Sequence, residues 1–374
     1  MKGLPTLLER INFLDSNTIL IEFEQPMEVV STLPVITPNG CVKGAVKAVV
    51  LKRVDNSELD NPIEYYKRIV KELNLDKALI VTTSAPLDQK FKYLSVREVN
   101  TNLYMTISLK PPTCLESNTY PPVLIGTINI IAITYLPLSY NALVDLLKTI
   151  TEAKTLASAD SLLYCRSRSP GTVSDSVSVL RPLNVREEIL FTGMSTNIGN
   201  VLARTIYNEI LREALNKDVN ELLKDMTGID VDLLLRLLSE IYSQYPIQGL
   251  NASDALSYAL VSLRKALKDP NVWSLIIAAR ELDIHGLAGT IPGVTKDEFV
   301  SDSKKIVADE VIGMSIATYL AGTNGLFTMY WIERLKEAGV LKHRGLGVFL
   351  DDVVSALLAY MVVDLIRRVN NDEG

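Results

Sequence analysis

The chain has 374 residues, of which 48% are hydrophobic and 22% charged, and its formal net charge is −6. This composition is that of a folded globular protein, and the length suggests about two domains. The acidic balance argues against a nucleic-acid-binding surface, which needs clustered positive charge, and two histidines are too few for a multi-histidine metal centre.

β-Branched runs of strand length dominate the first half of the chain. They are TILIEFE (18–24), AVKAVVLKR (45–53), KALIVTT (77–83), LYMTISLK (103–110), GTINIIAITY (126–135), DSVSVLRPL (175–183) and EEILFT (187–192). Helical spacing covers 62–73 and about 199–215, and a long helix is predicted to follow Ser139, which is a plausible N-cap. These segments predict an α+β domain with a mixed sheet.

Helical periodicity replaces the strand pattern after Asn216. The predicted helical segments are 233–244, 253–268, 271–283, 296–314 and 348–369. We therefore place a boundary near residue 217. The prediction is two domains, with an α+β domain over 1–217 and an all-α helical domain over 218–374.

Two features bear on the location of the protein. Glu9 and Arg10 interrupt the N-terminal segment too early for a signal-peptide core. Residues 311–332 are uncharged and long enough to span a bilayer, but Ala-Gly-Thr-Asn-Gly at 321–325 favours two buried helices joined by a loop. We expect a cytoplasmic protein without a membrane or nucleic-acid partner, and large apolar helical faces are compatible with a homodimer.

Polar residues concentrate in the strand end at 126–129, the helix at 151–154 and the loop at 170–175. Strand ends and Gly/Thr-rich loops are typical parts of a site that presents backbone N–H groups. Lys154 has apolar helical neighbours, so its ammonium must snorkel to solvent or be paired. The simplest interpretation of Glu152 is a solvated pair with Lys148 at i,i+4.

These segments resemble the adenosylcobinamide amidohydrolase family. The resemblance rests on GTIN (126–129), the TEAK helix (151–154), the loop PGTVSD (170–175) and FTGMSTNIG (191–199). It implies that adenosylcobinamide is the substrate and that the corrinoid is not a cofactor. Hydrolysis of the amide joining aminopropanol to the corrin ring would release adenosylcobyric acid and 1-amino-2-propanol.

Amide hydrolysis needs an activated water or nucleophile, and donors for the oxyanion. Because the chain has no GxSxG elbow, we hypothesise a general-base mechanism. Glu152 or Asp175 would deprotonate water, and Lys154 would stabilise the developing negative charge. The side chains expected to bind the corrinoid are Thr127, Asn129, Thr172, Ser174 and Thr196. A corrinoid-binding domain without catalysis is the alternative, because Pro170 stands where the family commonly carries Thr.

Acidic pairs interrupt the apolar faces of two C-terminal helices, as Asp309-Glu310 and Asp351-Asp352. Buried carboxylates need a partner or a cation, and two such helices meeting in a core would form an oxygen cage suited to Mg²⁺. The helix dipole favours acidic residues near a helix N-terminus, and this would explain the presence of Asp351 and Asp352 equally well. Glu310, by contrast, is expected in mid-helix, beyond the reach of the helix dipole.

DEVIGM (309–314) and GLGVFLDDVVSALLA (345–359) resemble the phosphatidylglycerophosphatase A-like family. That family includes membrane lipid phosphatases and soluble archaeal phosphatases of α-ribazole 5′-phosphate. In the phosphatase hypothesis Asp309, Glu310, Asp351 and Asp352 hold Mg²⁺, and Lys342 and Arg344 neutralise the phosphate. An exposed loop is an equally simple interpretation of these two basic residues.

The two resemblances together match an archaeal bifunctional enzyme of cobalamin salvage. Such an enzyme would act on two small molecules, adenosylcobinamide and α-ribazole 5′-phosphate. The alternative is a membrane-associated phosphatidylglycerophosphatase whose N-terminal domain is regulatory, or binds a corrinoid without catalysis.

Overall fold

A computed structural model describes residues 9–55, 61–116, 127–303, 305–341 and 345–372. The chain divides into two compact units. The N-terminal unit comprises Met1–Ser161 and Ser169–Leu215, and the C-terminal unit comprises Leu162–Arg168 and Asn216–Gly374. The predicted fold class is confirmed, because the first unit holds a mixed sheet with helices and the second is helical.

In the described residues of the N-terminal unit, ten strands form one sheet. They are β1 (Glu9–Asp15), β2 (Thr18–Ser31), β3 (Val35–Thr37), β4 (Gly40–Val42), β5 (Val46–Arg53), β6 (Ala78–Thr83), β7 (Phe91–Val96), β8 (Thr101–Ile107), β9 (Ile128–Thr134) and β10 (Ser176–Pro182). The order is β4-β3-β6-β5-β2-β10-β9-β8-β7, and β1 pairs with β2. The pairs β5–β6 and β9–β10 are parallel, whereas the other pairs are antiparallel.

The predicted strand at 187–192 is wrong. The segment contributes only an isolated bridge between Ile189 and Leu138. The N–H groups of Glu188 and Ile189 both donate to the carbonyl of Pro137, at 2.9 and 3.0 Å. Two successive donors on one acceptor do not make a ladder, because side-by-side strands use every second N–H in one direction.

The sheet curls so that one of its faces packs against itself. A single buried cluster combines Ile21 and Leu79 from one half of the sheet with Tyr104 and Ile131 from the other half. The side-chain Nδ2 of Asn129 on β9 donates to the carbonyl of Thr82 on β6 at 3.0 Å. Three strands separate β6 from β9 in the sheet order, so only a curled sheet brings them into contact.

The described residues of the N-terminal unit include the α-helices α1 (Pro62–Glu72), α2 (Leu87–Lys90), α3 (Tyr140–Asp160) and α4 (Asn197–Leu215). The predicted N-cap of α3 is confirmed, because Oγ of Ser139 accepts the N–H of Ala142 at 3.1 Å. Helix α3 links the parallel strands β9 and β10. Its C-terminal half therefore returns the chain to the end of the sheet where both strands begin.

The C-terminal unit contains α5 (Val219–Thr227), α6 (Val231–Gln244), α7 (Ala252–Ala266), α8 (Pro270–Ala288), α9 (Lys296–Val300), α10 (Ala308–Glu337) and α11 (Val348–Asp372). Helix α11 is buried on all sides from Asp352 to Val363 and packs against α6, α7, α8 and α10. A helix that is apolar around its whole circumference is expected at the centre of a bundle. In the described part of the chain, no helix has the length and apolar character needed to cross a membrane.

Two predictions about α10 have different outcomes. The turn signal at 321–325 corresponds to a break inside α10, where Gly322 has φ 68° and ψ −153°. The single helix predicted over 296–314 is wrong, because α9 ends at Val300 and Asp302 has a left-handed φ of 53°. The polar run Ser301-Asp302-Ser303 explains the interruption, since such side chains compete for backbone hydrogen bonds.

Candidate functional site

Lys154 lies in a buried polar cluster where β9 and β10 begin. Its side chain extends from the C-terminal half of α3, and the residue is only 7% exposed. Its Nζ forms an ion pair with Oδ2 of Asp175 and donates to the carbonyl of Pro170 at 3.2 Å. Of the two alternatives for Lys154, snorkelling or pairing, the structure shows pairing.

Asp175 is held by four donors. Its Oδ1 accepts the N–H of Ile128 at 2.8 Å and the hydroxyl of Thr172. Its Oδ2 accepts the N–H of Thr172 at 3.0 Å and contacts Lys154. A carboxylate offers about four lone-pair sites, so the acceptor capacity of Asp175 is filled.

Gly171 is required by this packing. A Cβ at that position would lie 2.1 Å from Oδ2 of Asp175 and 2.5 Å from Nζ of Lys154. Any side chain there would displace one partner of the ion pair. The glycine of the PGTVSD loop is therefore explained by the close approach of the loop to Lys154.

Asn129 and Thr127 form a buried hydrogen-bond network with Ser176, the residue that follows Asp175. The Asn129 Nδ2 donates to the carbonyl of Thr82 and to Oγ1 of Thr106, each at 3.0 Å. Its Oδ1 lies 2.8 Å from Oγ1 of Thr127 and 2.6 Å from Oγ of Ser176. These contacts use the whole hydrogen-bonding capacity of the Asn129 amide. The amide of Asn129 thus links β9 to β6 and β8, and its predicted role in binding the corrinoid stays a prediction.

The remaining predicted residues of this unit lie apart from the ion pair. Glu152 is exposed, and because it is two residues from Lys154 it points to the other side of α3. Lys148 forms its hydrogen bond with Asp145, at 2.7 Å, and its predicted pairing with Glu152 is a charge interaction only. Ser174 is exposed, and its carbonyl lies 3.1 Å from Oγ1 of Thr127.

Thr196 has a capping role at the start of α4. Its Oγ1 lies 2.8 Å from the carbonyl of Gly193 and accepts the N–H of Gly199 at 3.0 Å. No contact with the Lys154 cluster is found for Thr196 among the described residues. Its predicted role in binding the corrinoid stays a prediction.

The C-terminal unit brings together all four predicted metal-binding residues. Candidate ligand atoms of Asp309, Glu310 and Asp352 lie within 4.8 Å of one another. A second group consists of Glu333, Asp351 and Asp352, under the same distance limit. Asp352 is common to both groups, so the five carboxylates form one cluster between α10 and α11. The predicted Lys342 and Arg344 lie outside the described residues.

The donor set of this carboxylate cluster fits Mg²⁺. Oδ1 of Asp309 and Oε2 of Glu310 are buried without a hydrogen-bond partner in the described part of the chain. Burial, followed by the neighbouring carboxylate of Glu310, raises the pKa of Asp309 to about 7. Burial and the charge of Glu333 raise the pKa of Asp352 to about 8. An all-oxygen set with uncompensated negative charge is the coordination that hard divalent cations prefer.

Lys336 partly neutralises the cluster. Its Nζ bonds Oε1 of Glu333 at 2.9 Å and Oγ of Ser355 at 3.1 Å, and it forms an ion pair with Asp351. Glu333 and Lys336 were not among the predicted site residues. The two residues are spaced i,i+3 near the end of α10, so they lie on one face of that helix. In a helical hairpin the start of α11 lies beside the end of α10, so this spacing was the sequence feature that could have identified them.

The expected mid-helix position of Glu310 is wrong. Helix α10 begins at Ala308, so Asp309 and Glu310 both lie in its first turn. The helix dipole therefore favours these charges as well as those of Asp351. Dipole stabilisation does not explain why carboxylates from two helices converge, and this convergence is the feature that indicates a cation site.

Two family models match this chain. The model described as adenosylcobinamide amidohydrolase matches residues 4–222, and the model described as phosphatidylglycerophosphatase A matches residues 247–367. The first match includes the Lys154 cluster and the second includes the whole carboxylate cluster. Both clusters therefore lie in segments that are similar to hydrolase families.

Two curated relatives are uncharacterized proteins of Methanocaldococcus jannaschii. MJ1330 is 38% identical over 99 residues, which are 26% of this chain and 74% of the relative. MJ1613 is 27% identical over 119 residues, which are 31% of this chain and 46% of the relative. This chain thus spans less than half of MJ1613.

Similar solved structures include the low temperature requirement C protein of Listeria monocytogenes, with a TM-score of 0.33 and 21% identity. That match covers 41% of this chain and 95% of the other. A protein of unknown function from Bacillus stearothermophilus has a TM-score of 0.32 and 18% identity, and the match covers 41% of this chain and 94% of the other.

Proposed function

Because this chain belongs to the adenosylcobinamide amidohydrolase family, we propose that its N-terminal unit hydrolyses the aminopropanol amide of adenosylcobinamide. The products are adenosylcobyric acid and (R)-1-amino-2-propanol. The observation that carries this proposal is the buried ion pair between Lys154 and Asp175. A buried ammonium, fixed by a carboxylate, is suited to stabilise the negative charge that develops on an amide oxygen.

In the proposed mechanism Lys154 is the group that contacts the reacting amide. An ammonium has three N–H donors, and two of them are used by Asp175 and Pro170. The third is left for the substrate carbonyl. Asp175 is a positioning residue in this arrangement, because its oxygens are already filled. In this arrangement neither Glu152, which points to the other side of α3, nor Asp175, whose oxygens are filled, is placed to activate water. Substitution of each residue tests the prediction that one of them does so.

The test of the amidohydrolase proposal is incubation of the purified chain with adenosylcobinamide. We expect adenosylcobyric acid to appear with the wild type and to be lost with Lys154→Met. Equal product from both proteins would remove Lys154 from the mechanism. Tight binding of adenosylcobinamide by the wild type without any product would instead support the corrinoid-binding alternative.

For the C-terminal unit we propose hydrolysis of a phosphate monoester, with α-ribazole 5′-phosphate as the substrate. The carboxylate cluster supports this proposal, with Asp309, Glu310, Asp351, Asp352 and Glu333 as the residues that would hold Mg²⁺. When bound, the metal would supply Lewis-acid polarisation of a phosphoryl oxygen. Lys336 holds Asp351 and Glu333 in place and limits the mutual repulsion of the carboxylates.

The choice of α-ribazole 5′-phosphate rests on the N-terminal unit, since both reactions belong to the salvage of vitamin B12-type cofactors. Phosphate release from this substrate should require Mg²⁺ and stop on addition of EDTA. Release from phosphatidylglycerophosphate, and not from α-ribazole 5′-phosphate, would favour the lipid phosphatase. Undiminished release in EDTA would exclude the metal from the reaction.

A further inference from the structure

Helix α11 has no capping side chain at its N-cap position. The helix begins at Val348, and the carbonyl of Gly347 accepts the N–H of Asp351 at 3.0 Å, so Gly347 is the N-cap residue. An N-cap side chain normally accepts the N–H of the second or third helical residue, and glycine has no such group. Here those residues are Phe349 and Leu350, which are both buried. Their N–H groups therefore need an acceptor from another part of the chain.

Asp283 of α8 is that acceptor. Its Oδ1 accepts the N–H of Phe349 at 2.9 Å, and its Oδ2 accepts the N–H of Leu350 at 3.1 Å. The side chain is completely buried. Burial raises the pKa of Asp283 to about 6, so the group is a carboxylate above neutral pH. Negative charge at a helix N-terminus is favoured by the helix dipole, so Asp283 caps α11 from a neighbouring helix.

Gly347 allows the carboxylate to approach the helix. A Cβ at this position would lie 2.1 Å from Oδ2 of Asp283 and 2.2 Å from its Cγ. Any side chain at residue 347 would therefore displace Asp283 from the two N–H groups. The second glycine of GLG (345–347) thus has the same structural cause as the missing cap, because Asp283 fills the space that an N-cap side chain would use.

The capped turn leads directly into the carboxylate cluster. Asp351 and Asp352 follow Leu350 in the chain, and Asp352 belongs to both groups of candidate ligands. Asp283 belongs to neither of the two groups. Mg²⁺ requires nearly ideal octahedral geometry, so a small shift of the first turn of α11 would misplace two of its ligands.

We propose that Asp283 is a positioning residue for the cation site. It holds the first turn of α11 so that Asp351 and Asp352 meet the carboxylates of α10. The inference rests on the proposed Mg²⁺ site. An ordinary helix cap affects stability alone, whereas a positioning residue also affects the affinity for Mg²⁺.

The test is calorimetric titration of the full chain with MgCl₂ at about pH 8, where Asp283 is charged. Asp283→Asn keeps the shape of the side chain but replaces one acceptor oxygen with an NH₂ group, which cannot accept the backbone N–H. We expect Mg²⁺ to bind about tenfold more weakly to this variant. Asp230→Ala is the control, because Asp230 caps α6 through the N–H of Asp232 at 3.1 Å. It should lower the melting temperature and leave the Mg²⁺ affinity unchanged.

A rescue experiment separates positioning from a general loss of stability. Asp283→Ala removes the cap and frees the space beside residue 347. Adding Gly347→Ser to this variant supplies a hydroxyl that can cap α11 from its own N-cap position. The double variant should therefore bind Mg²⁺ more tightly than Asp283→Ala. Gly347→Ser alone should bind Mg²⁺ more weakly than the wild type, because its side chain meets Asp283.

The possible results distinguish this inference from the proposed cation site. Wild-type Mg²⁺ affinity in Asp283→Asn would overturn the inference alone. Equal affinities of Asp283→Ala and the double variant would overturn it as well, and this comparison remains available if Asp283→Asn does not fold. Absence of Mg²⁺ binding by the wild type would overturn the cation site and the inference together.

Discussion

Gly313 of α10 and Asp352 of α11 meet at the point where the two helices cross. A Cβ at Gly313 would lie 2.9 Å from Cβ of Asp352 and 2.3 Å from Cε of Met329. The glycine of the DEVIGM segment therefore sets how closely the two acidic helix starts approach. The position of Asp352 in the carboxylate cluster therefore depends on Gly313, which has no side chain that could bind a metal.

Gly313→Ala should weaken the cation site without removing a carboxylate. Overpacking at a helix crossing costs about 1–3 kcal/mol of folding free energy. If Asp352 moves to relieve the clash, a carboxylate that belongs to both groups of candidate ligands is displaced. We expect a lower melting temperature, weaker Mg²⁺ binding by calorimetry and slower phosphate release. Ser315→Ala, on the exposed side of the same helix, should leave all three unchanged. Wild-type Mg²⁺ affinity in Gly313→Ala would show that the crossing does not position Asp352.

Stabilisation by Mg²⁺ should depend on pH. The raised pKa values of Asp309 and Asp352, about 7 and about 8 against an ordinary 3.8, mean that the folded chain binds protons more tightly than the unfolded chain. The contribution of these two groups to metal-free stability is therefore fully present below their ordinary pKa and is lost as pH rises through the raised values. Mg²⁺ must displace the same protons, so its stabilising effect should increase with pH.

Melting temperatures in MgCl₂ and in EDTA, at about pH 6 and about pH 8.5, measure this linkage. The difference between the two solutions should be larger at the higher pH. Asp352→Asn should melt higher than the wild type in EDTA at the higher pH, because a buried charge is removed, and should lose the response to Mg²⁺. A response to Mg²⁺ that is the same at both pH values would contradict the assignment.

Substitutions in the TEAK helix should separate the ion pair from the exposed carboxylate. Lys154→Met should reduce the formation of adenosylcobyric acid about a hundredfold or more, because the proposed oxyanion donor is removed. Glu152→Gln should remain close to the wild-type rate, since Glu152 lies outside the cluster. Asp175→Asn should lower the rate and reduce stability, because the ammonium loses its charge partner. Inactive Glu152→Gln with normal corrinoid binding would restore Glu152 as the general base.

Asn129→Ala should destabilise the N-terminal unit. The side-chain amide of Asn129 bonds Thr82 and Thr106. Removing the amide leaves several buried polar groups without a hydrogen bond, and each such group destabilises the fold by about 1–3 kcal/mol. We expect a clear fall in melting temperature. A variant that keeps wild-type stability and only binds corrinoid more weakly would show that Asn129 contacts the substrate, as the sequence predicted.

The sequence predicted features that depend on local spacing. Because Lys154 has apolar helical neighbours, its ammonium was expected to be paired or to reach solvent, and in the structure it is paired with Asp175. The acidic pairs on two helices were expected to converge, and they do. The strand pattern also located β2, β5, β6, β8, β9 and β10, but it missed β1 and β7 and wrongly predicted a strand at 187–192.

The sequence could not predict features that depend on distant segments. Asn129 meets Thr82 because the sheet curls, and no local pattern encodes that contact. Glu333 and Lys336 enter the carboxylate cluster because of how α10 crosses α11. The start of α10 was misplaced because Ser301-Asp302-Ser303 interrupts a run that otherwise has helical periodicity. Short strands such as β3 and β4 bury few residues and leave little pattern.

The most direct test of the central claim is mass spectrometry of the purified full chain in two separate incubations. One contains adenosylcobinamide, and the other contains α-ribazole 5′-phosphate with Mg²⁺. We predict adenosylcobyric acid with 1-amino-2-propanol in the first and α-ribazole in the second. Unchanged adenosylcobinamide in the first incubation would contradict the amidohydrolase assignment, and unchanged α-ribazole 5′-phosphate in the second would contradict the proposed phosphatase substrate.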